Sequence, residues 1–491
     1  MQDILLGLDI GTTNIKAAAV GTDGAVLEVC SRPTPRRLSE MVHDPAEMWT
    51  SICSVLQELI AKLPEETRPV ALAIASMGET GVPVSESGEI LYPFIFWHDK
   101  RSQPQAELWR QNFGAQETYQ RTGLPIHPMY SLPKLLWLAE NEPSVFANMR
   151  RWLCVEDFVI WRLTGAEATS YPIASRTMCF NLHQRKWDEE ILSAAGIPPG
   201  IFPQAHPSGV VVGRVTAQAA AKTGLPEGLP IATGGHDHIC AALASGAIDP
   251  GIALDSSGTA GSLVVALDKL QLDDKLMLAG YTQGCHVVPD KYYILGGAGG
   301  GMILEWLAKT LSTDIEGLLL LAEKSPLGAA GVCFLPYLRG VSTPNRKPVP
   351  AGLIFGLSEV TSRHDIARAA LEGIAFEILN NLDFLNANAP VKLERLRIVG
   401  GGARSDFWNQ MKADSINLPV ELPKTTEATA CGAALLAGLA VGAIKDWQTA
   451  ARLISSDQLI LPNPNSHAQY REKFDSVYKR LYPAVKGLVE R

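Results

Sequence analysis

The stretch that decides the fold is residues 4–16, which read ILLGLDIGTTNIK. Residues 4–10 are almost all apolar, a pattern typical of a central strand that is covered on both faces. A Gly/Thr-rich turn follows, residues 17–20 resume an apolar strand, and the turn Asp23-Gly24 precedes a third apolar segment at 26–29. The pattern predicts a meander of three strands.

The first turn of this meander has the composition of a phosphate-binding hairpin. Gly11, Thr12 and Thr13 offer backbone N–H groups and hydroxyls, and Lys16 adds a positive charge. Asp9, at the end of the first strand, can hold a hydrated divalent cation. The turn is not a Walker loop, because Gly-x-x-x-x-Gly-Lys-Ser/Thr is absent. A plain hairpin is the alternative that these residues alone leave open.

Residues 251–266 repeat the arrangement without repeating the sequence. A strand runs into a Gly/Ser/Thr turn that contains Gly258 and Thr259, and an apolar strand resumes at 262–266. Two halves that each open on such a hairpin predict two related domains, residues 1–247 and 248–491, with a ligand between them.

Further elements follow from periodicity. Apolar residues recur at three and four positions over 44–62, which predicts an amphipathic helix, and a strand is expected at 70–75. The Pro-rich, irregular segment between about 170 and 230 is interpreted as a lid-like insertion over the cleft.

The candidate catalytic residue is Asp237. It follows an apolar strand and two glycines, and histidines flank it as His236 and His238. A carboxylate exposed by such a turn is well suited to act as a general base. Two alternatives stay open here: Asp237 as the N-cap of the following alanine-rich helix, and the two histidines as metal ligands.

Two loops after strands carry groups suited to a polyhydroxylated ligand. The first contains Met77 and Glu79, and the second contains Trp97 and Asp99. Carboxylates accept hydrogen bonds from hydroxyls, and Trp97 offers an apolar face to C–H groups. A surface ion pair between Asp99 and Arg101 is the structural alternative.

Two glycine-rich turns in the second half are candidates for nucleotide contact. Residues 296–301 precede a helix expected at 302–311, and residues 400–403 lie between a strand at 396–399 and a helix at 405–415. Glycines allow the backbone to approach a nucleotide closely, and a helix N-terminus favours negative charge.

Composition excludes several classes of protein. With 46% hydrophobic and 19% charged residues the 491-residue chain is globular, and a net charge of −8 gives no basic footprint for nucleic acid. The eight scattered cysteines predict neither disulfides nor a zinc site, so a reducing cytoplasm is expected. No signal peptide is recognised, and the longest apolar segment, 430–444, is too short to span a bilayer and predicts a buried helix.

Taken in order, these motifs resemble the FGGY family of carbohydrate kinases, within the actin, Hsp70 and sugar-kinase fold. Residues 129–141 match the first family signature at five positions: Ser131, Lys134, Trp137, Glu140 and Asn141. Residues 352–372 fit the second signature, and the hairpins at 9–13 and 257–259 and the turn at 400–403 resemble the phosphate and adenosine motifs. The resemblance covers about residues 4–440.

The resemblance implies an α/β fold of two ribonuclease-H-like domains with an interdomain cleft, the first holding the sugar and the second the nucleotide. Asp237 would be the base, ATP and Mg²⁺ the cofactors, and Asp9 the residue near the metal. The substrate is expected at Met77, Glu79, Trp97, Asp99 and His236. The nucleotide is expected at Gly11, Thr12, Thr13, Lys16, Gly258, Thr259, Gly301, Glu305, Gly401, Gly402, Ala403 and Asp406.

The acceptor is less clearly indicated. Glycerol kinases of the family place Arg-Glu in the first substrate loop and xylulose kinases place Met-His-Gly there, whereas this chain has Met77-Gly78-Glu79. Trp97-x-Asp99-x-Arg101 is closer to the pentulose kinases, which favours an open-chain ketopentose or ketohexose. A polyol kinase for glycerol, erythritol or a pentitol and a non-catalytic sugar sensor remain alternatives. No nucleic acid or membrane partner is expected, and a homodimer is compatible with the resemblance.

Overall fold

The computed structural model describes residues 1–258, 261–347 and 349–489, and these form two compact units. The first contains Met1–Gly246, Gln283–Tyr293 and Glu427–Ile454, and the second contains Ala247–Thr282, Ile294–Thr426 and Ser455–Arg491. Two segments from the second half of the sequence are therefore grouped with the first unit.

Residues 1–246 alternate strands with helices. The strands are β1 (Gln2–Ile10), β2 (Asn14–Gly21), β3 (Val26–Pro33), β4 (Val42–His43), β5 (Thr67–Ser76), β6 (Gly81–Ser85), β7 (Phe94–Ile95), β8 (Met149–Cys154), β9 (Ala168–Ser170), β10 (Phe180–Asn181), β11 (Lys186–Trp187), β12 (Gln204–His206), β13 (Val211–Arg214) and β14 (Pro230–His236). The helices are α1 (Pro45–Lys62), α2 (Gln103–Asn112), α3 (Ala115–Thr122), α4 (Ser131–Asn141), α5 (Pro143–Asn148), α6 (Val155–Thr164), α7 (Tyr171–Ala174), α8 (Glu189–Ala194), α9 (Ala217–Thr223) and α10 (Asp237–Ser245).

The main sheet of the first unit has the strand order β13-β14-β5-β1-β2-β3. The predicted meander is confirmed, since β1 pairs antiparallel with β2 and β2 pairs antiparallel with β3. β5 pairs parallel with both β1 and β14, so these three strands end at one edge of the sheet. The predicted amphipathic helix is α1, which begins after the N-cap Asp44.

Residues 247–489 contain the remaining elements. The strands are β15 (Ile252–Ser257), β16 (Gly261–Leu267), β17 (Thr282–Cys285), β18 (Tyr292–Gly297), β19 (Cys333–Leu335), β20 (Leu353–Phe355), β21 (Arg395–Gly400), β22 (Val420–Pro423) and β23 (Ser456–Ile460). The helices are α11 (Asp274–Ala279), α12 (Gly301–Thr310), α13 (Ile315–Glu323), α14 (Arg363–Asn388), α15 (Asp406–Ile416), α16 (Ala428–Ala440), α17 (Trp447–Leu453), α18 (Pro464–Lys473) and α19 (Lys479–Val489).

The second unit repeats the strand pattern of the first. Within this unit, neighbouring strands follow the order β16-β15-β21-β22-β23, and β15 pairs antiparallel with β16 and parallel with β21. This is the same relation that β1 has to β2 and β5, so the predicted repeat of topology is confirmed. The helices predicted after the two glycine-rich turns are α12 and α15.

The small residues of α16 have a steric reason. A Cβ placed on Gly7 of β1 would lie 1.9 Å from the Ala430 carbonyl oxygen, so the strand and helix backbones are almost in contact. Only glycine on the strand and small residues on the helix permit such an approach. The helix predicted from residues 430–444 is therefore buried as expected, although it ends at Ala440.

The segment between 170 and 230 is not a lid-like insertion, and that expectation was wrong. β13 forms the edge of the main sheet, and Val215, Ala219, Leu225 and Leu229 belong to the core of the first unit. Short elements and prolines make this segment irregular in sequence, but many of its apolar residues are buried.

Candidate active site

The candidate base lies at the edge of the first sheet where its parallel strands end. β1 ends at Ile10, β5 at Ser76 and β14 at His236, and α10 begins at the next residue, Asp237. In the sheet register, Asp9 is opposite Ala75, and His236 is opposite Ser76. The carboxyl ends of parallel strands are the usual position for a ligand site in an open α/β sheet.

Asp237 has one carboxylate oxygen fixed by its neighbours. Oδ1 accepts the backbone N–H of His238 at 2.7 Å and lies 3.3 Å from Nε2 of His236. Burial would raise the pKa of Asp237, but His238, His236, the His238 N–H and Arg176 outweigh burial and hold this pKa below its ordinary value. The carboxyl is therefore ionised at neutral pH, as a general base must be.

The alternative that Asp237 caps a helix is wrong. The N-cap of α10 is His236, which makes no side-chain cap hydrogen bond, and Asp237 is the first helical residue. A carboxylate at that position also interacts favourably with the helix dipole.

His236 is neutral and buried. It is only 4% exposed, and burial lowers its pKa to about 4. Because the Asp237 carboxylate lies 3.3 Å from Nε2, we assign the ring proton to that nitrogen. Nδ1 is then an acceptor, and it has no hydrogen-bond partner among the described residues. The ring can therefore orient the base and accept a hydrogen bond from a hydroxyl.

Asp9 has the environment of a carboxylate that faces a cation. Its Oδ1 is buried and has no hydrogen-bond partner in the described part of the chain. Burial, followed by repulsion from Asp237, raises the pKa of Asp9 well above its usual value, although Lys16 opposes this shift. A divalent cation would compensate both effects, so the residue fits the Mg²⁺ expected beside it.

Protein side chains alone do not form a metal cage. Across residues 1–258, 261–347 and 349–489, no group of three or more His, Cys, Asp or Glu side chains could hold a metal ion. The idea that His236 and His238 ligate a metal therefore lacks a third protein ligand. Mg²⁺ commonly keeps several waters and uses only one or two carboxylates together with substrate phosphates.

The first hairpin is fixed from outside the turn. Thr34 donates its hydroxyl to the Gly11 carbonyl at 2.7 Å and its N–H to the Thr13 carbonyl at 2.9 Å. Trp97 Nε1 donates to Thr12 Oγ1 at 3.0 Å, which connects the hairpin to a predicted substrate residue. Lys16 forms an ion pair with Glu427, so its charge is shared with that carboxylate.

The two predicted substrate loops differ in how their carboxylates are used. Asp99 is 6% exposed, and both of its oxygens accept hydrogen bonds from Arg101. The ion pair considered for these two residues therefore exists, although it is buried instead of lying on the surface. Met77 is also buried.

Glu79 occupies an unusual backbone conformation beside the base. Its φ is +64°, in the left-handed region that non-glycine residues rarely adopt. Lys134 Nζ donates to the Glu79 carbonyl at 2.8 Å and holds this turn, and burial lowers the pKa of Lys134 to about 7. Strained backbone of this kind is concentrated at functional sites.

Arg176 is a functional candidate that the sequence did not reveal. It forms a buried ion pair with Glu79, and its guanidinium lies 5.4 Å from the centre of the Tyr130 ring. Burial alone would lower the pKa of Arg176, but Glu79 raises it above its ordinary value, so the guanidinium is charged. The residue lies in an irregular segment, 97 positions from Glu79, and no local pattern signals such a pairing.

The second unit brings its own predicted residues together. Ser257 is opposite Gly400 in the β15–β21 register, and a Cβ on Gly402 would lie 2.5 Å from the Ser257 Cβ. Gly258 and the turn containing Gly401, Gly402 and Ala403 are therefore neighbours. Asp406 begins α15 after the N-cap Ser405, and Gly301 begins α12, which also carries Glu305. Thr259 lies outside the described residues.

A buried ion pair supports the second hairpin. Lys412 Nζ donates to Asp255 Oδ2 at 2.6 Å, and Ser257 Oγ donates to the same oxygen at 2.7 Å. The Lys412 ammonium also lies 4.0 Å from the centre of the Trp408 ring. These contacts fix the end of β15 that leads into Gly258.

A cavity of about 490 Å³ lies within the second unit beside the N-terminus of α12. Gly297, Gly299, Gly300 and Trp306 line it, together with Arg339 and Glu377. Gly301, Glu305 and the turn at 400–403 are not among its lining residues, although Gly300 and Met302 flank Gly301. Its volume is in the range of small-molecule sites.

Comparison with known proteins assigns the family. The N-terminal domain of the FGGY family of carbohydrate kinases matches residues 4–244, and the C-terminal domain of that family matches residues 253–441. The chain belongs to the FGGY family of carbohydrate kinases. The members of this family are enzymes that phosphorylate carbohydrates. The mixed α/β two-domain fold predicted from the sequence is confirmed.

Relatives of this FGGY chain are named for three different acceptors. The gluconokinase of Bacillus licheniformis is 28% identical over 96% of this chain and 94% of its own length. The glycerol kinase of Symbiobacterium thermophilum is 32% identical over 98% of both chains. The crystal structure of xylulose kinase from Rhodospirillum rubrum superposes with a TM-score of 0.89 at 31% identity, over 99% of this chain and all of that one (100%).

In this FGGY chain, the helices of the described residues include none with both the length and the hydropathy needed to cross a membrane.

Proposed function

We propose that this chain transfers the γ-phosphoryl group of ATP to a hydroxyl of an open-chain sugar, a ketopentose or ketohexose, in a xylulokinase-like reaction of carbohydrate catabolism. The observation that carries the proposal is the ionised carboxylate of Asp237, which has one oxygen fixed by a backbone N–H and lies beside a neutral, buried imidazole. A cytoplasmic enzyme is expected, and a homodimer is compatible with it.

In the proposed reaction, Asp237 acts as the general base. Its carboxylate accepts the proton of the acceptor hydroxyl while that oxygen forms a bond to the γ-phosphorus. The bond between the γ-phosphorus and the bridging oxygen breaks, and ADP leaves with the bonding electrons. Because Oδ1 is held by His238 and His236, we assign the proton transfer to Oδ2.

ATP and Mg²⁺ are the proposed cofactors. The buried, unpartnered Oδ1 of Asp9 supports this residue as the metal-proximal carboxylate. When bound, Mg²⁺ would neutralise charge on the phosphate oxygens. Phosphate contacts are proposed for Gly11, Thr12, Thr13, Lys16, Gly258 and Thr259, and nucleoside contacts for Gly301, Glu305, Gly401, Gly402, Ala403 and Asp406.

The acceptor is proposed to bind to Met77, Glu79, Trp97, Asp99 and His236. Of these, Glu79 and His236 have the strongest support: both are buried, His236 lies 3.3 Å from Asp237, and Glu79 interacts electrostatically with His236. Asp99 is engaged by Arg101 through both oxygens, so its role would be to keep the loop in place as well as to meet a hydroxyl. Trp97 would present its ring while its Nε1 stays bonded to Thr12.

One observation favours a polyol as the second candidate acceptor. Glycerol kinases of the family carry Arg-Glu where this chain carries Gly78-Glu79. A Cβ on Gly78 would lie 3.0 Å from Cγ of Arg176, so an arginine from another segment packs where the family's arginine side chain would begin. This chain thus has an Arg-Glu pair whose two members come from different segments of the sequence.

The proposal is tested by measuring ADP release with Mg-ATP across ketopentoses, ketohexoses, pentitols, tetritols, glycerol and sugar acids. Turnover of one compound well above the ATP-only background would establish the kinase and its acceptor. If no compound turns over, binding of the same compounds separates an unusual acceptor from a non-catalytic sugar sensor. A sensor would bind a sugar without releasing ADP.

A further inference from the structure

We propose that the buried Glu79–Arg176 pair makes the acceptor site selective for uncharged polyols and ketoses and excludes sugar acids. The inference deepens the proposed function and rests on it. A sugar acid is the natural competing acceptor, because one relative of this chain is named gluconokinase.

The pair is enclosed by protein. Glu79 is 4% exposed and Arg176 is 3% exposed, and Arg176 Nε donates to Glu79 Oε1 at 2.5 Å. The terminal guanidinium nitrogen Nη2 contacts the same oxygen. An ion pair shielded from water in this way is strongly coupled, so the charge of Arg176 is largely compensated before any ligand arrives.

The pair also lies next to the candidate base. A Cβ on Gly78 would be 3.0 Å from Cγ of Arg176 and 3.0 Å from Cδ2 of His236, so both side chains pack on this glycine. His236 is in turn 3.3 Å from Asp237. Any acceptor whose hydroxyl reaches Asp237 therefore interacts electrostatically with Glu79 and Arg176.

The other cations of this site are engaged as well. Lys16 pairs with Glu427, Arg101 pairs with Asp99, and Lys134 donates to the carbonyls of Glu79 and Ile95. Each of these cations therefore has a carboxylate or a carbonyl as its partner. Asp9 and Asp237 add negative charge to the same site. An acceptor carboxylate would meet repulsion from Asp9 and Asp237, and the two arginines of the site already have carboxylate partners.

A neutral acceptor meets complementary groups instead. The Glu79 carboxylate accepts hydrogen bonds from hydroxyls, and Nδ1 of His236 is a buried acceptor with no partner in the described part of the chain. Lys134 holds the Glu79 turn through its carbonyl. The site therefore recognises hydroxyl donors through two acceptors in fixed positions.

The first test uses the wild-type protein and three matched pairs that differ only at C1: glucitol and gluconate, ribitol and ribonate, erythritol and erythronate. Binding is measured by calorimetry without ATP. At least one alditol is expected to bind about tenfold or more tightly than its aldonate. An aldonate that binds as well as its alditol, or better, would overturn the proposal.

The second test removes the compensating charge. In Glu79→Gln, Arg176 retains a positive charge without its anionic partner, so aldonate affinity should rise relative to alditol affinity by about tenfold. The double variant Glu79→Gln/Arg176→Gln removes both charges and should lose that gain. Glu421→Gln is the matched control. Glu421 is a largely buried carboxylate on β22 of the second unit, and it pairs with Arg395 and Arg397 of the neighbouring strand β21.

The two tests keep this inference separate from the proposed function. Failure of ATP turnover with every compound would count against the kinase, whereas charge preference is measured by binding alone. If the wild type binds none of the six compounds, gain of aldonate binding in folded Glu79→Gln still supports the role of the pair. Absence of that gain, with circular dichroism showing a native fold, would refute it.

Discussion

Replacing Asp237 by Asn removes the proposed proton acceptor and little else. Asn keeps an oxygen that can accept the His238 N–H, which now lies 2.7 Å from Oδ1. Loss of a carboxylate at the start of α10 would destabilise the fold by about 0.3–1 kcal/mol. That loss is opposed by relief of the repulsion that raises the pKa of Asp9. The variant should therefore fold normally.

The expected catalytic effect is much larger. A positioned general base contributes about 10²–10⁴-fold to the rate, which corresponds to about 3–5 kcal/mol of barrier at 1.36 kcal/mol per tenfold. We expect kcat to fall by that factor in Asp237→Asn, because the amide cannot accept the proton. The affinity for ATP should change by about twofold or less, since no proposed nucleotide contact is altered.

The assay is ADP release with the acceptor identified in the wild type, together with ATP binding measured by calorimetry. Thermal unfolding of the variant provides the control for folding. A kcat within about threefold of the wild type would be too small a loss for a general base and would refute the assignment. A parallel loss of ATP affinity would mean that the substitution disturbs more than proton transfer.

Three further predictions follow from the same site. Because the pKa of Asp237 is held low, its carboxylate stays ionised above pH 5, and Asp237 should contribute no acidic limb to kcat/KM between pH 5 and 8. An acidic limb in this range that persists in Lys134→Met would point to another base. Gly78→Ala should raise KM for the acceptor by about tenfold with little change in KM for ATP. The added Cβ would crowd Arg176 and His236, and such overpacking costs about 1–3 kcal/mol. An unchanged acceptor KM would contradict this packing. Burial lowers the pKa of Lys134 to about 7, so the unfolded state binds more protons than the folded state between pH 7 and 10. The unfolding free energy of the wild type, measured by chemical denaturation, should therefore rise over that range relative to Lys134→Met. Parallel stability curves for the two proteins would show that the pKa of Lys134 is not lowered in the folded state.

The sequence predicts the fold well because the pattern that specifies it is local. The apolar run at 4–10, the turn at 11–13 and the next strand are contiguous, and the same is true of 251–266. The predicted strands and helices at these places are confirmed. The apolar segment 430–444 was expected to form a buried helix, but its assignment to the first unit depends on a close backbone approach to Gly7 that periodicity does not encode.

The candidate site was only partly accessible from sequence. Asp237 and His236 stand out because a strand, two glycines and a helix start are consecutive in the chain. Arg176 does not, because its partner Glu79 is 97 positions away and the segment around it has no periodicity. Its function as an ion-pair partner depends on which loops the fold brings together, and this is also why the segment from 170 to 230 was misinterpreted as a lid.

The central claim is that phosphate is transferred from ATP to a carbon-bound hydroxyl with Asp237 as the base. The most direct measurement is phosphorus NMR of the reaction of Mg-ATP with the preferred acceptor, in the wild type and in Asp237→Asn. We expect a new phosphomonoester resonance that grows in step with ADP, requires the acceptor, and is lost or greatly slowed in the variant. Formation of ADP with only inorganic phosphate, or the same phosphomonoester at an equal rate in Asp237→Asn, would contradict it.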